Sequence, residues 1–143
     1  MKSVRFSVFL LMLVVTTQVR AEWKEIGGGK IVGGTKRTLY VDTSSIQSTG
    51  QTRTVWTLID HTVIQREAGD AYFSAKGHWE IDCGKRVVRE LFHSIHSGQM
   101  GGRRTVWSGP LNRDFQPVSP RSFVGEAILN EVCDRELATQ ARR

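Results

Sequence analysis

The chain has 143 residues, with 20 Lys and Arg against 14 Asp and Glu, a net charge of +6, and 39% hydrophobic residues. That is enough for one domain with one core and too short for two comfortable ones. Its basic residues are interleaved with Glu67, Asp70, Glu80, Asp82 and Glu90 rather than gathered in a stripe, so nucleic acid is excluded as a partner class.

Residues 1–21 have the form of a cleavable signal peptide. Lys2 and Arg5 make a positive n-region, Val8 to Val15 an apolar run, and Val19-Arg20-Ala21 a small-x-small cleavage site. The run falls well short of the ~20 apolar residues of a membrane span, so the expected mature chain has no membrane anchor. Cleavage after Ala21 removes Lys2, Arg5 and Arg20 and lowers the net charge to +3. With no cysteine near the cleavage site, a lipoprotein modification lacks an acceptor. The expected location is the periplasm or the cell surface, or release as a secreted protein.

Residues 22–143 then form the single expected domain. Trp23 to Ile26 and Thr38 to Val41 are short strand candidates, separated by glycines at 27–29 and 33–34 that read as a flexible connection. A phosphate-binding loop there is excluded because no GK[ST] motif accompanies the glycines. After a turn at Ser48-Thr49-Gly50, the Thr, Val and Ile of residues 52–64, with Trp56, suit a pleated, half-buried surface.

Residues 72–83 carry the clearest pattern. Phe73, Ala75, Gly77, Trp79, Ile81 and Cys83 alternate with Tyr72, Ser74, Lys76, His78, Glu80 and Asp82, which predicts an antiparallel strand with a buried face and a wet one. Trp79 belongs to the buried set. A turn at Cys83-Gly84-Lys85 leads to a strand over residues 86–96, and a glycine-rich bend at 98–102 to another over 103–108. The proline-flanked loop holding Asn112, Arg113 and Asp114 reads as a spacer that positions the C-terminal helix. Ser119-Pro120 predicts the start of that helix, with Val118 and Phe123 as a hydrophobic staple. Val124, Ile128, Leu129, Val132 and Cys133 share one broad helical face, and packing is expected to end near Cys133 because Glu136 falls inside that face.

The fold class is therefore α+β: an antiparallel sheet of about five to six strands with a C-terminal helix packed on one face. Cys83 on the buried strand face and Cys133 at the rim of the helical stripe can pair across that packing, and an exported chain favours the disulfide over two reduced thiols. The loop it closes spans about fifty residues, which in the chain-entropy model is worth roughly 4 kcal/mol.

Several segments, in this order, carry a family resemblance: Tyr40-Val41-Asp42 with Ser44 and Ile46, Val55-Trp56, Ser74-Ala75-Lys76 running to Cys83, Ser97 to Gly101, and Pro120 to Cys133 with Val124-Gly125-Glu126. The chain resembles the surface-adhesin protein E family of Gram-negative bacteria. The resemblance implies an antiparallel sheet disulfide-bonded to a C-terminal helix. It also implies adhesive binding of extracellular-matrix and serum proteins such as vitronectin, laminin and plasminogen, and homodimeric assembly. The family's studied adhesin is a lipoprotein, and this chain departs from it in lacking the lipid-accepting cysteine.

No catalytic signature accompanies this. Ser94, Ser97 and Ser108 lack a nucleophile-elbow context. His93 and His96, three apart in a strand, point to opposite faces, and His61 and His78 lie on other segments. The expectation is a non-enzyme without metal or cofactor. Lys85, Arg86 and Arg89 begin one strand and Arg103 and Arg104 the next, and in a hairpin they are expected to gather as a basic edge attractive to polyanions or acidic partner segments. A solvated sheet edge whose charges deter aggregation is the other reading. Two functions stay open: a binding module acting through its exposed sheet or basic edge, and a structural or stress-related periplasmic domain.

Overall fold

The structure, a computed structural model, describes residues 21–30, 35–119 and 122–134. Residues 1–20 of the expected signal peptide and the tail beyond Asp134 lie outside the described residues. The strands are β1 Trp23–Lys30, β2 Lys36–Asp42, β3 Gln47–Thr49, β4 Thr52–Glu67, β5 Asp70–Asp82, β6 Val87–His96, β7 Thr105–Pro110 and β8 Gln116–Pro117. Six of them form an antiparallel sheet in the order β1-β2-β4-β5-β6-β7. The two short pieces bring the strands to eight, beyond the five to six expected. β3 continues the line of β2 along β4, and β8 continues the line of β7 along β6. Pieces this short leave no periodic trace, since two or three residues cannot show alternation.

The glycines after Ile26 do not interrupt β1. Gly27, Gly28 and Gly29 pair with Leu39, Thr38 and Arg37, because an edge strand is held by backbone amides that glycine supplies as well as any residue. The β4–β5 hairpin turns at Ala68 and Gly69, both at positive φ, between the paired Glu67 and Asp70. Two such residues match the right-handed twist of the flanking strands.

One face of the sheet carries the core. Val41, Val55, Ile81 and Val88 meet Ile128, Leu129 and Val132 of the C-terminal helix, all fully or almost fully buried. Helix α1 spans Phe123–Leu129 and runs on as a π-type turn over Asn130–Asp134. Its cap is Ser122, not Ser119. The Ser122 hydroxyl accepts from the Gly125 amide at 2.9 Å, while the Ser122 amide donates to the Ser119 carbonyl at 2.8 Å, so residue 119 belongs to the turn that delivers the chain to the helix. Val118 consequently packs beside Gly125 rather than acting as a staple. Cys83 and Cys133 are joined by a disulfide, with Cα atoms 5.6 Å apart, fastening the end of the helix to the end of β5. Trp79 lies on the expected face but is only half-buried at the rim of the core, with its indole N–H donating to the Thr57 hydroxyl at 3.1 Å.

The other face is covered at one end by the bend after β6: the buried Ser74 hydroxyl donates to the Gly98 carbonyl and accepts from the Gly101 amide, and the Met100 amide donates to Asp60. Leu58 is fully buried there.

Candidate functional site

Away from that bend, the helix-free face holds a row of rings. Trp56 of β4, His78 of β5 and Phe92 of β6 stand directly opposite one another in register, and opposite residues project from the same side of a sheet. Trp56 and His78 stack with centroids 4.8 Å apart and planes at 10°, and Trp56 meets Phe92 edge-on at 5.8 Å. All three rings are half-buried. Burial holds the His78 pKa below its ordinary value of 6.5, with Glu80 pulling the other way, so the stacked ring is neutral at neutral pH.

The adjacent row borders the rings with charge. Arg89 pairs with Glu80 across the strands, and its guanidinium lies 4.5 Å from the centre of the Phe115 ring. Aromatic faces beside a planar cation bind by stacking and desolvation rather than by making bonds.

The expected basic edge divides in two. β6 and β7 do pair as a hairpin, but His96 is opposite Thr105, so Arg103 and Arg104 sit at the hairpin bend while Lys85 and Arg86 precede the far end of β6. The beginnings of two antiparallel neighbours lie at opposite ends of the pair, here separated by the ten residues of β6, or roughly 30 Å. Lys85 is exposed, 3.7 Å from Asp82, and Arg86 is exposed beside it. Arg103 instead lines a 470 Å³ surface cavity with Phe73, Ser97, Gly98 and Gln99, and Arg104 is exposed next to it. Only Lys85 and Arg86 share an end of the sheet with Arg89.

The histidines disperse. His93 lies opposite Gly77 on the helix side, and His96 opposite Ser74 on the other. Burial is the main cause lowering the pKa of His96, reinforced by Lys76 and His93; burial followed by Arg37 lowers that of His61, against Asp60. Among the described residues, no three His, Cys, Asp or Glu side chains gather as metal ligands, and no helix is long and apolar enough to cross a membrane.

The aromatic row escaped sequence reading although each residue lay in a recognised strand. Its signal was the shared parity of Trp56 with His78, but which residue faces which depends on register and on the bulge after His78 that brings Phe92 into line.

A helix fastened by a disulfide to one face of an antiparallel meander, with the other face open, defines a stapled α+β domain. Residues 23–134 match the family model of surface-adhesin protein E, and the chain belongs to that family. No curated protein matches its sequence. Among solved structures, crystal form II of Haemophilus influenzae protein E is similar at 10% identity, covering 68% of this chain and 80% of that one with a TM-score of 0.52. The selenomethionine form of the same protein gives 10% identity, 67% and 78% coverage, and a TM-score of 0.49. At such identity the likeness is one of fold.

Proposed function

We propose that the chain is an exported, non-enzymatic binding module of the adhesin type that holds a protein partner against the helix-free face of its sheet. The observation that supports this is the half-exposed row of Trp56, His78 and Phe92 beside Arg89. Large aromatics and arginine dominate the energetics of protein interfaces, and the core on the other face does not need them. Family membership directs the choice of partner toward host extracellular-matrix or serum proteins. Lys85 and Arg86 lie at the same end as Arg89 and speed encounter with acidic segments, whereas Arg103 and Arg104 act as a separate patch.

The test is binding of the purified protein to immobilised vitronectin, laminin and plasminogen at low and physiological salt. Trp56→Ala together with Phe92→Ala should weaken binding about thirtyfold or more, as loss of an interface hot spot does. Arg86→Glu should act mainly through slower association that salt suppresses, with Arg103→Glu and Arg104→Glu having a smaller effect. If the native protein binds none of the three even at low salt, and cell fractionation confines it to the periplasm, the adhesin reading gives way to a structural periplasmic role. Size-exclusion chromatography with light scattering tests the homodimer that the family suggests.

A further inference from the structure

The helix-side face holds a second feature beside the first turn of α1. A cavity of 200 Å³ there is walled by Thr57, Gly77, Trp79, Glu90, His93 and Val124 among others. His93 also lines a neighbouring cavity of 250 Å³, bordered by Glu67, Asp70 and Ile95 and by the exposed Trp107. Glu90, in the wall of the first cavity, has a side chain only 8% exposed. A carboxylate taken this far out of water is costly unless its lone pairs are met.

One oxygen is met by a neighbouring side chain, and the other is left to the solvent of the groove. His93 Nδ1 stands 2.7 Å from Glu90 Oε1, at hydrogen-bond distance. Arg113 Nη1 lies 3.9 Å from Oε2, an ion pair outside hydrogen-bond length, and among the described residues Oε2 carries no hydrogen bond. Arg113 itself is 64% exposed, on the loop between β7 and β8. The polar atoms meet over bare backbone: a Cβ at Gly77 would stand 2.5 Å from Trp79 Nε1 and 2.8 Å from Glu90 Oε1. Thr57 accepts from that indole and donates to the Gly77 carbonyl at 3.3 Å, fixing the ring beside the carboxylate.

We propose that this groove receives an arginine side chain of a protein partner, whose guanidinium replaces Arg113 at Glu90 Oε2. Glu67, Asp70 and Glu90 oppose Arg113, leaving the groove attractive to a cation. Lys76 borders it too, but its side chain runs beneath Gly101 on the opposite face. A planar guanidinium matches a carboxylate edge and stacks on indole, which a lysine ammonium does not do as well. Trp79 and Trp107 supply the indole surfaces.

The probe is the blocked tripeptide Gly-Arg-Gly, titrated into the isotope-labelled protein while the indole N–H resonances of Trp79 and Trp107 are followed. Saturable shifts are expected, and the neutral citrulline counterpart should bind about tenfold more weakly or worse, since it loses a charge-assisted contact. Glu90→Gln should bring a similar loss. Arg113→Ala should tighten binding severalfold by removing the internal competitor. Should Glu90→Gln fail to fold, Arg113→Ala, which alters an exposed side chain, decides the matter. Equal binding of the citrulline peptide, or weaker or unchanged binding by Arg113→Ala, overturns the proposal. So does methylguanidinium binding as tightly as the peptide, since the site would then serve a small molecule. Trp56→Ala should leave this titration unchanged, so its outcome is separable from that of the helix-free face.

Discussion

The two faces of the sheet come from the same alternating strands yet are built for different ends. On the helix side Val41, Val55, Ile81 and Val88 are aliphatic, fully or almost fully buried under Ile128, Leu129 and Val132, and secured by the Cys83–Cys133 disulfide. On the opposite side Trp56, His78 and Phe92 stack on one another but remain half-exposed. Aliphatic side chains gain most from being enclosed, whereas aromatic rings at a surface keep a large apolar area for a later partner. The difference separates the residues that hold the domain together from those free to act.

Removing the staple should have the largest effect. Cys83→Ser or Cys133→Ser reopens a loop between residues 50 apart, and urea unfolding should show a loss of about 4 kcal/mol. A loss below about 1 kcal/mol would mean that the helix is held by packing alone. Next is the core itself, where Ile128→Ala should cost about 2 to 5 kcal/mol. Leu58→Ala should cost a similar amount despite its place on the other face, because its side chain is fully buried. Phe92→Ala removes a ring that is only half-buried and should cost clearly less than either. Equal losses at Ile128 and Phe92 would break the contrast between the faces.

A smaller change tests the helix start. Ser122→Ala removes the cap on the Gly125 amide and should cost about 1 kcal/mol, whereas Ser119→Ala leaves that bond in place. Paired thermal melts distinguish them.

The smallest effect is on pH dependence. His61, His78 and His96 all have folded pKa values lowered beneath 6.5, chiefly by burial, so near and below that pH the unfolded chain binds more protons than the folded one. Stability should therefore be complete well above pH 6.5 and decline as pH falls through 6.5 and below it. Urea midpoints across that range, with His96→Gln flattening the slope, measure the contribution; a midpoint that rises on acidification would contradict the assignment.

What the sequence by itself determined was local. The alternation from Tyr72 to Cys83 marked β5 and assigned Ile81 to the core, and the change of period after residue 119 marked the helix and its apolar face. Together these located both cysteines well enough to pair them. Such features follow from side-chain direction, which repeats every two residues in a strand and every 3.6 in a helix. Tertiary structure alone decided which residues meet. It sent Lys85 and Arg103 to opposite ends of β6, brought Trp56, His78 and Phe92 into one row, and left Glu90 under Gly77 beside a cavity that the short helix borders with Val124 but does not fill. Register, bulges and the area one helix can cover arise from contacts between distant segments, and the order of residues along a single strand does not encode them.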